Sequence, residues 1–439
     1  MTIRMDEGAA ELLDTLHRAG YAAYVVGGCV RDSLLGLTPH DWDLCTSALP
    51  QQVMELFGAQ RCIPTGLQHG TVTVKQSGAL YEITTFRTEG TYTDGRHPDE
   101  VHFVPDVRED LARRDLTINA MAYNEKEGLV DPFGGQADLQ SGIVRAVGVP
   151  RQRFTEDALR ILRLYRFAAR FGFAIDPPTA QAAQELCAHL DCVSVERIEE
   201  ELAKLLSAPA PAAYLDKKIL LVILPELSSE ALAAAKPVVD ACPAGAENLP
   251  IRLAALLLSL GEDGIRRTLR RLRCSNACIE ETAVLVREAR GCDGSFLFGH
   301  DSDHSIARPI AFGNRVPPQR TVLRETTVTP GFTIYARRLL GKYNLCTVQR
   351  LAALGTALQP EHAADFAALS ELAEQLDADG VCCRVSQLAV NGRDLMAAGV
   401  PAGPDIRKVL EALLDGVIRE EYPNERQALL AAVQQLAAS

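Results

Sequence analysis

The chain is poor in features that would narrow its chemistry at once. Its 439 residues include a single tryptophan, Trp42, and twelve cysteines of which no two stand in CxxC spacing. That spacing excludes a zinc knuckle or a dithiol redox motif, and the adjacent pair Cys382–Cys383 suits neither a metal site nor an ordinary disulfide. The cysteines are expected to be reduced and mostly buried, acting as small hydrophobes. No run reaches the ~18 apolar residues that a membrane span needs. The N-terminal stretch MTIRMDEGAAELLDTLHRAG is amphipathic and broken by acids, unlike the uninterrupted apolar core of a signal peptide. The cytoplasm is the expected compartment, with no membrane partner. Solenoid repeats and low-complexity tracts are also missing, so a chain this long is expected to divide into two to four domains.

Excess positive charge is lacking too, since the net charge is −12. That total says little about local fields. Residues 145–170 hold seven arginines against only Glu156 and Asp157, and IRRTLRRLR (265–273) adds five more. A basic stripe on an acidic body is compatible with phosphate contacts.

The first ~140 residues read as strands with turn punctuation. YAAYVVGG runs into a buried strand that stops at Gly27 and Gly28, CVRDSLLG is a short helix closed by Gly36, and HDWDLCT, HGTVTVK and LYEITTFR are strand-like. A polar loop of about thirteen residues, TEGTYTDGRHPDE, separates TTFR from VHFV; loops of that length are functional or disordered. From TEDALRILRLYRFAARFGF onward the periodicity is helical, with Thr155 as the expected cap ahead of Glu156 and Asp157. Residues 292–332 interrupt the helices with Gly, Pro and Thr, and a last helical unit begins near Leu388. The expected fold class is α+β: an N-terminal mixed β-sheet head at 1–140, then an all-helical neck (141–205), body (206–385) and tail (386–439).

Three patterns carry chemistry. Gly27 and Gly28 stand between a strand and a helix N-terminus, with Arg31 one turn in; backbone amides, helix dipole and guanidinium together favour an anion. Asp41 and Asp43 flank Trp42, and in a strand they share a face while the tryptophan packs beneath it. Carboxylates that close raise each other's pKa, so either water separates them in a loop or they hold a hard cation such as Mg²⁺. Glu82, on a neighbouring strand, is the candidate third carboxylate. On a helix, Asp157 and Arg160 are three apart and share a face. Ionised Asp only accepts and Arg only donates. Side by side they complement an exocyclic amine next to an unprotonated ring nitrogen, the edge shared by cytosine and adenine, whereas uracil and guanine leave buried polar groups unpaired at about 1–3 kcal/mol each. The HD pair in GHDSDH (299–304) lacks helical context and further ligands, and reads as a polar loop.

Five blocks in order, VVGGCVRDSLLG with DWDLCTSA, HGTVTV…YEITTFR, RRDLTINAMAYN, TEDALRILRLYRFAARFGF and SVERIEEELAKLL, resemble the class II tRNA nucleotidyltransferases, the CCA-adding enzymes of the poly(A) polymerase/nucleotidyltransferase superfamily. The likeness is dense over residues ~20–205 and looser at VNGRDLM…GVPAGPDI…NER. The resemblance implies template-independent addition of C and A to tRNA 3′ ends from CTP and ATP, with release of pyrophosphate. Asp41 and Asp43 would then carry Mg²⁺. Gly28 and Arg31 would contact the triphosphate, Arg114 the nucleotide and Asp115 the 2′-hydroxyl. Asp157 and Arg160 would read the base, and Arg163 and Arg166 would continue the nucleotide-binding stripe. The partners implied are tRNA, held by its acceptor–TΨC arm, and the two nucleotides; no protein partner is expected. A smaller apolar residue is usual in the family where Trp42 stands. The alternatives are an A-adding or other partial tRNA nucleotidyltransferase, then a poly(A) polymerase, a group that departs from the EDxxR pattern intact here, and last a non-catalytic tRNA-binding protein, against which the intact DxD, arginine set and EDxxR argue. Resemblance to the family suggests that CC-only enzymes lack the TEGTYTDGRHPDE loop.

Overall fold

The computed structural model describes residues 3–90, 101–291 and 329–436. Its first helix, α1 (Glu7–Arg18), is capped by Asp6, whose side chain accepts from the Ala9 amide at 2.6 Å, and buries Leu12, Leu13 and Leu16. Strand β1 (Ala23–Val26) is buried along its whole length, as a continuous apolar run in a central strand should be. It turns into helix α2 (Gly28–Leu34) through Gly27, at φ 79° and ψ −120°. Only glycine takes that conformation without strain, and a Cβ there would stand 3.0 Å from Arg114 Nη1.

The strand expected over HDWDLCT is shorter than its alternation suggested. Strand β2 covers Leu44–Thr46, and Asp41–Asp43 form an irregular lead-in. The lead-in is still tied to the sheet, since the Val26 amide donates to the Asp43 carbonyl at 2.9 Å. Helix α3 (Pro50–Phe57) leads to β3 (Cys62–Gly66), β4 (Thr71–Gln76) and β5 (Ala79–Thr85). Val72 and Val74 on β4 face Ile83 and Tyr81 on β5, and all four are buried. Their hairpin closes through Ser77 (φ 50°) and Gly78 (φ 86°), two successive positive φ values of the type I′ kind that match strand twist.

Beyond β5, β6 (Arg87–Glu89) pairs with β7 (Val101–Phe103). Most of the polar loop between them lies outside the described residues, as do nearly all of the 292–332 segment and the GHDSDH motif. Helix α4 (Val107–Ala112), β8 (Ala122–Asn124) and β9 (Gly128–Val130) complete a seven-stranded sheet of order β3-β4-β5-β2-β1-β8-β9, in which only β2 and β5 run parallel. The mixed sheet is therefore the expected one. Tyr24, Val26, Cys45, Phe86, Val107, Leu111 and Val147 form a core beneath it.

Helix α5 (Gly135–Ser141) and strand β10 (Ile143–Val144) precede α6 (Pro150–Glu156) and α7 (Leu159–Phe171); β11 (Ala174–Ile175), α8 (Pro177–Leu186) and α9 (Val195–Leu206) follow. Thr155 does not cap α7. It belongs to α6, where its hydroxyl donates to the Arg151 carbonyl at 2.9 Å. The chain breaks at Asp157, which is extended, and the Asp157 carboxylate accepts from the Leu159 amide at 3.1 Å. An Asp at the break satisfies an amide the new helix leaves open, which is why one long helix becomes two.

These elements belong to a compact unit of residues 1–232 with 271–274; a second unit comprises 233–270 and 275–439. The second is helical. In it Arg252, fully buried, donates to the Pro243 and Cys242 carbonyls, and its C-terminal part packs Val390, Leu395, Leu413, Leu429 and Val433 into a core. Every cysteine among the described residues is a free thiol and most are buried. No described helix is long and apolar enough to cross a membrane.

Trp42 is buried, at only 8% exposure. Trp42→Ala should cost about 3–5 kcal/mol of stability, and Trp42→Phe less than about 1.5 kcal/mol. Denaturant unfolding followed by circular dichroism checks both, and an Ala variant as stable as the parent would contradict the packing.

Candidate active site

The parallel pairing of β2 with β5 assembles the carboxylates. Leu44 pairs with Ile83, so one step back along the register sets Asp43 beside Glu82 on the same face. Asp41, Asp43 and Glu82 are all exposed. Although the Asp43 carboxylate reaches solvent, the protein around it and then the charge of Glu82 push its pKa up; Asp41 adds to the rise and Arg114 opposes it. Two like charges thus bear on Asp43, and only one cation offsets them. Among the described residues no three His, Cys, Asp or Glu side chains already form a metal cluster. A cation fits the donor set nonetheless, because it would remove the repulsion that raises Asp43. A second unfilled demand lies alongside: Arg114, held to Asp110 at 3.4 Å and close to Gly27, has a buried Nε with no hydrogen-bond partner.

Arg31 is placed differently from an open phosphate ligand. It is 4% exposed, with Nε and Nη2 on Asp32 at 2.8 and 2.7 Å and Nη1 on the Asn119 carbonyl oxygen at 2.5 Å. Its guanidinium also lies 5.0 and 5.1 Å from the Phe167 and Phe171 ring centroids. Burial lowers its pKa, with Asp32 opposing. Arg31 therefore ties the glycine turn to α7.

The remaining arginines form a stripe along α7, each turned to a carboxylate. Arg160, 9% exposed, donates to Glu156 at 2.7 Å and to the Arg113 carbonyl at 3.1 Å. Arg163 donates to Asp115 at 2.7 Å, and Arg166 lies 2.9 Å from Glu201. Arg170 reaches Asp32 at 3.3 Å. Burial by itself would raise the Asp115 pKa, but the Arg163 charge and hydrogen bond, helped by Arg160 and Asn119, hold it well below the usual carboxylate range. Burial lowers the Arg166 pKa to about 10 against the pull of Glu201, and raises that of Glu201. Asp115 is thus a buried anchor of the stripe and not a surface partner of Arg114.

Asp157 and Arg160 do not share a helix face, because Asp157 sits in the break before α7. Its carboxylate accepts from Arg197 of α9 at 2.7 and 3.3 Å. Arg197, Glu201, Asn119 and Asp32 were not singled out in the sequence. Glu201 and Arg197 had a signal in SVERIEEELAKLL, which lies on one amphipathic helix, but nothing local says which arginine either one meets. In the IRRTLRRLR stretch Arg266 is paired with Glu262 and Glu280 and Arg271 with Glu226, while Arg267 and Arg270 are exposed.

This arrangement, an acidic sheet face behind a glycine turn and joined to an arginine helix, matches known proteins over its whole length. The poly A polymerase head domain family matches residues 23–145. The "probable RNA and SrmB-binding site of polymerase A" family matches 172–230, and the putative tRNA nucleotidyltransferase domain 2 family matches 332–433. A CCA-adding enzyme of Levilactobacillus brevis is 35% identical over 431 residues, 97% of each chain. The chain belongs to the CCA-adding enzymes. A solved CCA-adding enzyme of Bacillus stearothermophilus, in complex with CTP, superposes with a TM-score of 0.77 at 31% identity, covering 99% of this chain and 98% of that one. The Thermotoga maritima CCA-adding enzyme complexed with tRNA shares the fold, with a TM-score of 0.66 at 20% identity and coverage of 98% and 94%. Enzymes of this family generally use divalent metal ions.

Removing the Asp115 charge tests the stripe. Asp115→Asn should cost about 1–3 kcal/mol at neutral pH, less than a fully buried pair because Arg163 is one-third exposed. A carboxylate with a depressed folded pKa stabilises above its unfolded value near 4 and loses that contribution as pH falls through the folded one. The gap between parent and variant should therefore narrow only below about pH 4. A gap that stays constant from pH 7 to pH 3 would rule the ion pair out.

Proposed function

We propose that the chain adds C and A to the 3′ end of tRNA from CTP and ATP, without a nucleic-acid template, and works in the cytoplasm. Membership of the CCA-adding family over nearly its entire length is the observation that carries this reading. In each step the terminal 3′-oxygen attacks the α-phosphorus, the bond to the bridging oxygen breaks, pyrophosphate leaves and the hydroxyl proton is lost to solvent.

Asp41 and Asp43, with Glu82 beside them, would hold Mg²⁺, which when bound supplies activation of the 3′-hydroxyl and neutralisation of the leaving pyrophosphate. The chain's own part is positioning and electrostatics, the main contributions in phosphoryl transfer. The Gly27–Gly28 turn lets backbone amides approach the triphosphate, and the unpartnered Nε of Arg114 adds a donor close to that turn. Arg31, Arg163 and Arg166 act through the stripe, holding α7 where the nucleotide must lie.

Base choice rests on Asp157 and Arg160. An ionised carboxylate has about four acceptor sites, and Arg197 and the Leu159 amide use three of those on Asp157. Arg160 has five N–H donors, of which Glu156 and the Arg153 carbonyl engage the two on Nη1 and the Arg113 carbonyl one on Nη2, leaving Nε–H and the second N–H of Nη2. Each retains capacity for one edge of a cytosine or adenine, and their present partners keep them from rotating to suit uracil or guanine.

A tRNA transcript ending at its discriminator nucleotide, incubated with each nucleotide singly, tests the activity: CTP should be incorporated and ATP should follow only after it. No gain from CTP would refute addition of the full CCA. Asp41→Ala should abolish incorporation while leaving tRNA affinity within about twofold, and unchanged incorporation would reject the metal assignment. For Asp157→Ala, incorporation of UTP and GTP should rise relative to CTP and ATP; selectivity equal to the parent's would mean that the base is read elsewhere.

A further inference from the structure

The sheet register carries the face of the site outward to the sheet edge. Ile63 on β3 pairs with Thr73 on β4, Thr73 pairs with Glu82 on β5, and the next neighbour across is Asp43. These four lie in one row and share a face, as do Lys75 and Leu80, which pair two residues further along the β4–β5 hairpin. The opposite face is closed, with Trp42, Val72, Val74, Tyr81 and Ile83 all buried. On the site face Ile63 is 44% exposed and Leu80 61%, Lys75 is exposed, and the small Thr73 between Ile63 and Glu82 is buried. Here two large apolar residues and a lysine are exposed on the face that carries the carboxylates.

We propose that this face, from Asp43 through Glu82 to Ile63, Lys75 and Leu80, seats the single-stranded 3′ end of the tRNA. The inference rests on the function proposed above. The reacting hydroxyl must lie at Asp43, so the nucleotides leading to it must cross a surface continuous with that residue. Three strand spacings, about 14 Å, separate Asp43 from Ile63, enough for the last few nucleotides. Lys75 supplies a phosphate contact, which an otherwise acidic face needs if it is to accept a polyanion. Ile63 and Leu80 supply apolar contact to base and ribose without hydrogen bonds. That choice fits this substrate, because the 3′ end changes with every addition, and apolar contact to a base face tolerates any sequence where edge-reading polar groups would not.

Lys75→Glu and Leu80→Glu alter exposed side chains outside the proposed catalytic set, so both variants should fold with the parent's thermal midpoint. With a tRNA transcript ending at its discriminator nucleotide, Lys75→Glu should raise the tRNA KM about tenfold and leave the CTP KM within about twofold, while Lys75→Arg restores the parent value. Leu80→Glu should act in the same direction. A transcript carrying 4-thiouridine as its last nucleotide should crosslink to the β3–β5 segment, residues 62–85. An unchanged tRNA KM in both charge variants, or crosslinks confined to other segments, would overturn the assignment. A parent enzyme that incorporates no CTP would instead reject the proposed activity; the crosslink needs no turnover and still decides the surface.

Discussion

The structure around the site depends on one paired ionic seam. Four arginines of α7 (160, 163, 166 and 170) face Glu156, Asp115, Glu201 and Asp32, and Arg31 adds a guanidinium packed against the phenylalanines of the same helix. Unpaired, the buried ones among these charges, Arg160, Asp115, Glu201 and Asp32, would be costly. Paired, they fix the rotation of α7 and its distance from the glycine turn and the RRD segment. The seam is also why α7 starts where it does: Asp157 stops α6, caps the new helix and is itself held by Arg197.

The acidic face of the sheet works on the opposite principle. There the charges are only partly offset, by Arg114, and burial first, then the charge of Glu82, raises the pKa of Asp43. A protein can maintain such a face when the neighbouring backbone is rigid, and here β1, β2 and β5 are central strands whose other side is filled by Trp42, Leu44 and Ile83. Stability is therefore concentrated beneath the carboxylates and along α7, while the unmet charge lies above them.

Much of this was legible in the chain. Alternation in TVTVK and LYEITT marked strands, the glycine pair marked a turn between strand and helix, and five ordered blocks marked the family. The errors were local in reach and physical in origin. The expected DWD strand begins only at Leu44, where the ladder with β1 and β5 starts. Thr155 looked like a cap because S/T followed by acids is the usual signal, but a proline at 150 had already started a separate helix. The shared face of Asp157 and Arg160 followed from a helix assumed to be continuous, and the break removed it.

The sequence by itself determined the sheet-plus-helices architecture, the carboxylate pair and the arginine stripe, since periodicity and spacing are properties of neighbouring residues. Only the tertiary structure decided what each charge meets: Arg31 buried against Asp32 and Asn119, Asp115 joined to Arg163, Asp157 held by Arg197, and Glu82 brought beside Asp43 by a parallel pairing. Those partners lie from one to 88 residues away in the chain. Which arginine answers which carboxylate depends on packing distances and desolvation, and no local pattern encodes either.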